Sequence, residues 1–448
     1  MAHVDLVIAN GTVVTPSISF HGAVAVEGGK IVAITSNSNL PDSSKTIDAS
    51  GLLVLPGVID VHVHFRDPGY TYKEDFASGT AAAAAGGVTC IFDMPNNSPP
   101  PRNVEALGKK IEAAEAKAIV DYGLYGLLTE GNLADIIPLA KAGVIGYKCF
   151  MGQTVGDIPP PPDGDMLDEF AEAANLNLRV AVHAENDQIL RYLIGKLRNQ
   201  GRGDVHAHYE SRPQIVEEEA VHRAILYARE VKCKLHIAHV SSAAGANAIH
   251  DAKQRGQPVT AETAPHYLLL DDRDYAKIGS LMKINPSIKT EDDKAALWRA
   301  IHDGTVDMIA TDHSPHTLEE KKKSIFDSVS GFPGLETAVS LMLTQVKRGR
   351  LSLERYVQLT SENPAKAWRV YPQKGCTSVG SDADLTIVDL KKKGKVEPGK
   401  FLSKAKWSPF DGFEFEGSPV YTVVRGNVVM DHGQVDTKAK GTMIHPIS

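Results

Sequence analysis

The chain has 448 residues, of which 42% are hydrophobic and 23% charged, and a formal net charge of −7. That length and apolar share allow a sizeable core and exclude a disordered polymer. The acidic balance argues against a nucleic-acid surface, since Lys321–Lys323 and Lys391–Lys393 are short enough to be solvated faces. Residues 4–55 then alternate short β-like runs with turn signals: Asp5–Ala9, Thr12–Val14, Ala23–Val26 and Lys30–Ile34. Asn10-Gly11 between two apolar runs predicts a hairpin. The same grammar returns in Ala383–Asp389, Tyr421–Met430 and Gly433–Val435, so residues 1–55 and 373–448 are expected to form one small sheet domain.

Between these ends, residues 56–372 alternate apolar β-runs with helical segments, the signature of a parallel α/β sheet. Eight runs stand out: Gly57–Phe65, Val88–Met94, Ile119–Gly126, Val144–Phe150, Arg179–Glu185, Lys234–Ser241, Val259–His266 and Asp307–His313. Helix-like stretches fall at Asn103–Lys117, Glu217–Val231, Ala243–Arg255 and Lys294–Asp303. Eight such units predict a (β/α)₈ TIM barrel. An open doubly wound sheet is the runner-up, and no Gly-x-Gly-x-x-Gly follows an early strand to support it.

Reactive residues of a barrel gather at the C-terminal ends of its strands. Here the first run ends at His62 and His64, the fourth at Lys148, the fifth at His183 and Glu185, the sixth at His239 and the eighth at Asp312. Residues two apart on a strand share a face, so His62 and His64 can converge on one point. Imidazoles suit zinc and its first-row neighbours. The pattern predicts a two-metal hydrolase, with His62 and His64 on one divalent ion, His183 and His239 on the other, and Asp312 beside the first. Lys148 would be a buried, unpaired ammonium near two cations, which is costly. Carboxylation of its amine by CO₂ gives a bridging anion; the bland alternatives are a neutral buried lysine or one reaching to solvent. Asp312 is expected to take a proton from the metal-bridging hydroxide as it attacks a carbonyl, then deliver it to the leaving nitrogen. The ordinary reading of Asp312-His313 is a capping pair after a strand.

His62-Val63-His64, Lys148, His183, His239 and Asp312 on eight β/α units resemble the amidohydrolase superfamily, and within it the cyclic amidohydrolases: dihydroorotase, allantoinase, hydantoinase and dihydropyrimidinase. The resemblance runs over nearly the whole chain. It implies a β-sandwich domain made from both termini, two divalent ions (usually zinc), an N6-carboxylated Lys148, a small cyclic-amide substrate and a homodimer or homotetramer. Arg66 after the His-x-His and Asn96 in Asp93-Met-Pro-Asn96 resemble the residues with which dihydroorotases grip a substrate carboxylate. Asn285 in Lys283-Ile-Asn285-Pro and His316 in Asp312-His-Ser-Pro-His316 likewise resemble dihydroorotase substrate contacts. Gly146-Tyr-Lys148-Cys-Phe, Tyr209-Glu-Ser-Arg212-Pro213 and Lys406-Trp-Ser-Pro-Phe-Asp-Gly412 instead resemble allantoinases and L-hydantoinases. After Lys148 the chain lacks the tyrosine with which dihydropyrimidinases hold the oxyanion. The expectation is hydrolysis of a ring C–N amide bond, with a dihydroorotase-type substrate ahead of allantoin and hydantoins. A non-catalytic tetrameric scaffold relative is the alternative from another class, and it sits poorly with a filled ligand set.

Gly331-Phe-Pro-Gly334 resembles a loop whose backbone contacts the substrate ring, or is an ordinary Gly/Pro loop; Gly152–Gly164 reads as either a lid or a rigid turn. No stretch approaches the roughly 18 apolar residues of a membrane span, and the N-terminus carries no basic n-region. Cys90, Cys149, Cys233 and Cys376 form no Cys-x-x-Cys. Together these point to a reduced, cytoplasmic protein.

Overall fold

The computed structural model describes residues 3–156 and 158–447. Five strands open the chain: β1 (Val4–Val14), β2 (Ser19–Glu27), β3 (Lys30–Thr35), β4 (Ser43–Asp48) and β5 (Leu53–Pro56). Eight more follow: β6 (Val58–Val63), β7 (Val88–Asp93), β8 (Asp121–Leu128), β9 (Gly146–Phe150), β10 (Arg179–His183), β11 (Lys234–Ile237), β12 (Val259–Thr263) and β13 (Met308–Ile309). The C-terminal part supplies β14 (Leu385–Lys395), β15 (Glu414–Val424), β16 (Asn427–Asp431) and β17 (Gln434–Val435).

Strands β6 to β13 pair in parallel in sequence order. A parallel bridge from Val63 to His313 and a 2.8 Å hydrogen bond from His64 N–H to the His313 carbonyl close the ring. The chain is therefore a TIM barrel, as the alternation of runs predicts. Its interior is packed rather than hollow: Ile59, Val61, Cys90, Phe92, Tyr125, Ala181 and Met308 form one cluster with Trp368. Trp368 meets Phe92, Tyr125 and His236 edge-on and seals the barrel where the strands begin. Outside, helices at Phe76–Ala85, Val104–Lys117, Gln214–Glu230, Ala243–Gln254 and Glu291–Asp303 cover the sheet. Asn103 and Ser242 cap two of these helices as expected for short polar N-cap residues. Glu291–Asp303 begins ahead of the expected Lys294, because a Thr290/Asp293 capping box sets its start.

Both chain ends build a second sheet, in the order β17-β16-β15-β14-β5-β1-β2-β3 with β4 against β1. Leu6, Ile8, Val24, Val26 and Ile31 from its first half share a core with Leu385, Ile387, Val420 and Val423 from its second, the β-sandwich packing that the resemblance implies. The hairpin expected at Asn10-Gly11 does not form. Asn10 takes φ 60°, and the register shifts between Ile8 and Gly11 while β1 runs on, so the dipeptide makes a bulge. Gly11 also lies where a Cβ would meet Val54 at 2.7 Å, so close strand packing is what this glycine serves.

Candidate active site

The first, fourth, fifth, sixth and eighth barrel strands deliver their marked residues to one pocket. His62, His64, Arg66, Lys148, His183, His239, Asn285 and Asp312 all line it, together with Gln153, Ser314, Ser330 and Gly331. Asp312 Oδ1 lies 3.1 Å from His64 Nε2 and 3.4 Å from His62 Nε2. His183 Nδ1 lies 2.9 Å from His239 Nε2. The His62 ring is 5.1 Å from that of His64 and 5.3 Å from that of His239, so the two histidine pairs are adjacent.

The expected strands overrun the observed ends of β11 and β13. Ordered pairing stops at Ile237 and Ile309, and His239 and Asp312 adopt left-handed φ values of 40° and 47°. Arg66, past β6, has φ 63°. Non-glycine residues avoid this region, and its use at three pocket residues marks backbone bent to aim side chains inward.

Burial governs the electrostatics. It pushes His62 down to about 4 and holds His64 and His239 well below the usual imidazole range, so these rings are neutral. It pushes the Lys148 amine down to about 8, with Glu262 and Asp312 opposing. It raises the Asp312 carboxyl well above its ordinary range against the pull of Lys148. Lys148 Nζ, His64 Nδ1 and His239 Nδ1 are buried without a hydrogen-bond partner. Among the described residues, His62, His64 and Asp312 form one of two groups whose ligand atoms lie within 4.8 Å of one another. Neutral imidazoles, the Asp312 carboxyl and the orphaned Lys148 amine are donor types that fit a divalent-metal site, whose charge would draw the proton from Asp312.

Around this set lies a second layer of acids, whose partners only the folded chain brings together. Glu262, at the end of β12, bonds His62 Nδ1 and His236 Nε2. Glu185 bonds His183 Nε2 at 3.0 Å and pairs with Arg212 Nε at 3.3 Å. The remaining sequence candidates take different places. Arg66 is buried, donates from Nη2 to Ser314 Oγ, and keeps Nε and Nη1 unpartnered at the pocket. Asn285 reaches the wall and accepts from Ser330 Oγ at 3.0 Å. Asn96 is outside the wall and donates to Thr154 Oγ1 and the Val155 carbonyl, bracing the loop that does line it. His316 also lies behind the wall, bonding the Ser330 carbonyl at 3.0 Å. His266 packs on Tyr267 and Phe332. Gly331 lines the pocket with φ 125°, where a Cβ would meet Ser314 Oγ at 2.5 Å. Of the loop 152–164, Gln153–Val155 line the pocket, while Asp157 lies outside the described residues. All four cysteines are free and buried, and no helix among the described residues is long and apolar enough to cross a membrane.

Residues 53–429 match the amidohydrolase family. An allantoinase of Solibacter usitatus is 38% identical over 447 residues, 99% of this chain and 97% of that one. A dihydroorotase of Methanothermobacter thermautotrophicus is 36% identical over 414 residues, 92% of this chain and 91% of its own length. The solved L-hydantoinase (dihydropyrimidinase) of Arthrobacter aurescens superposes with a TM-score of 0.94 at 38% identity, covering 97% of each chain. With its barrel, its converging histidines, lysine and aspartate, and these relatives, the chain belongs to the amidohydrolase family, in its cyclic amidohydrolase group, and is a hydrolase.

Proposed function

We propose that the chain hydrolyses the ring C–N amide bond of a cyclic ureide or imide, and that its preferred ring carries a carboxylate, as dihydroorotate does. The observation that carries the substrate choice is Arg66: a guanidinium held in the pocket wall by Ser314, with two buried nitrogens, Nε and Nη1, left without partners. A planar fork of this kind suits a carboxylate, and charge-assisted bonds to it are the strong ones.

His62, His64 and Asp312 would hold one divalent ion, and His183 and His239 the other, with zinc fitting the nitrogen and oxygen donors. Lys148 would join the two sites as a carbamate, its free amine adding to CO₂ with loss of one proton. When bound, the ions lower the pKa of a water molecule and polarise the ring carbonyl. Asp312 accepts one proton from the attacking water and returns it to the ring nitrogen as the C–N bond breaks; the second water proton leaves to solvent, giving a carboxylate and an open ureide. Arg66 and Asn285 orient the ring, while Asn96 and His316, behind the wall, steady it. A cytoplasmic homodimer or homotetramer completes the proposal.

Allantoin or L-hydantoin hydrolysis is the second reading, favoured by the 38% identity to an allantoinase and to an L-hydantoinase. Ring-opening assays on dihydroorotate, allantoin and 5-substituted hydantoins separate the two. Arg66→Ala should cut the rate on dihydroorotate relative to an uncharged ring by about 10–100-fold, the loss of a charged hydrogen bond. An unchanged ratio, or a wild-type preference for uncharged rings, overturns the carboxylate reading. Metal analysis should find two ions per chain; a metal-free chain inert on every ring would restore the scaffold alternative.

A further inference from the structure

We infer that Glu262 is the positioning residue that fixes how His62 and His239 present themselves to metal, an inference that rests on the metal-site reading above. Glu262 is buried, and its carboxylate receives three groups from two other strands' ends. Oε1 takes His62 Nδ1 and the backbone N–H of His239, the latter at 3.2 Å, and Oε2 takes His236 Nε2 at 3.0 Å. The left-handed backbone of His239 is thereby tied down at its amide.

The polarity of this network follows from the Glu262 carboxylate, and the Arg179 end is compatible with it. Arg179 has only donors, and its Nη1 donates to Thr260 Oγ1 at 3.0 Å. The Thr260 hydroxyl is then free to donate to His236 Nδ1 at 2.9 Å, rather than along its longer 3.4 Å contact with the Leu235 carbonyl. Facing the Glu262 carboxylate, His236 carries its proton on Nε2 and gives it to that acid. An ionised carboxylate accepts only, so His62 must be protonated at Nδ1. That leaves the Nε2 lone pair of His62 facing Asp312 and the pocket, as a metal ligand requires. One acid thus sets a tautomer in the first histidine pair and a backbone position in the second.

The test uses the full-length protein, loaded with zinc for chelator competition and with Co²⁺ for its visible spectrum, beside Glu262→Gln and Glu262→Leu. The Glu262→Gln variant keeps an acceptor but loses the charge, so we expect about 10-fold weaker metal retention; Glu262→Leu loses both, and about 100-fold is expected. The Co²⁺ bands should shift in each variant, a signature that mere loss of packing would not move. If Glu262→Leu fails to fold, Glu262→Gln decides alone. Wild-type retention and an unshifted spectrum in Glu262→Gln overturn the inference while leaving the metal site standing. A wild-type chain that binds neither metal overturns both.

Discussion

Two clusters of buried ionisable groups in this molecule look alike in the convergence of their ligand atoms and differ in what fills them. At the pocket, His62, His64 and Asp312 converge beside Lys148, whose amine makes no hydrogen bond. At the seam between barrel and terminal sheet, Asp121, Asp382 and Asp384 converge as closely. There Lys374 Nζ sits among them, 2.6 Å from Asp121, 2.6 Å from Asp384 and 3.1 Å from Asp382, and Arg425 adds a contact to Asp121 at 3.1 Å. The seam cluster carries its own cation and is a staple between the two sheets. The pocket cluster instead sets neutral imidazoles and one acid beside an amine that makes no hydrogen bond, a donor set that fits an added divalent ion. Ligand count alone does not separate a metal site from an ion-pair network; the partners of the buried charges do.

The sharpest way to break this comparison is to remove the acid that only the pocket needs. Asp312→Asn should lower kcat by about 10³–10⁴-fold with little change in Tm, measured by ring-opening rate and thermal melt. Lys148→Met should abolish metal binding and activity. Its metal-stripped form should melt at or above metal-stripped wild type, because a buried unpaired amine worth about 1–3 kcal/mol of penalty is gone. Lys374→Met should do the reverse, costing about 3–5 kcal/mol in denaturant unfolding while leaving bound metal in place. That deficit should shrink as pH falls. Stranded carboxylates have folded-state pKa values above their unfolded ones, so protonation favours the folded chain, and burial already raises Asp384 even with Lys374 present. Smallest of all, Asn96→Ala should raise KM a few-fold with kcat kept, since about 1 kcal/mol of bracing on Thr154 and Val155 is lost.

The barrel is legible in the sequence because its strands are short apolar runs whose endings carry the chemistry. His62-x-His64 needs only the period of a strand, and Lys148 announces itself as a charge closing an apolar run. Glu262 gives the same kind of signal, an acid at the end of Val259–Thr263, yet its meaning depends on a partner 200 residues away that only barrel closure brings near. The bulge at Asn10 is hidden for a related reason: the local dipeptide fits a turn, and pairing of β1 with β2, β4 and β5 holds the strand straight. Asn96 and His316 lie one layer behind the wall, a depth that motif spacing does not encode.

The three left-handed residues at the pocket, Arg66, His239 and Asp312, carry a consequence for anyone breeding a hardier variant. Each conformation costs on the order of 1–2 kcal/mol in a residue bearing a Cβ. Glycine would relieve that cost and asparagine would lessen it. A screen that rewards heat tolerance alone should therefore accumulate glycine or asparagine at these positions and return sturdy, inert proteins. Selection has to be coupled to turnover from the first round.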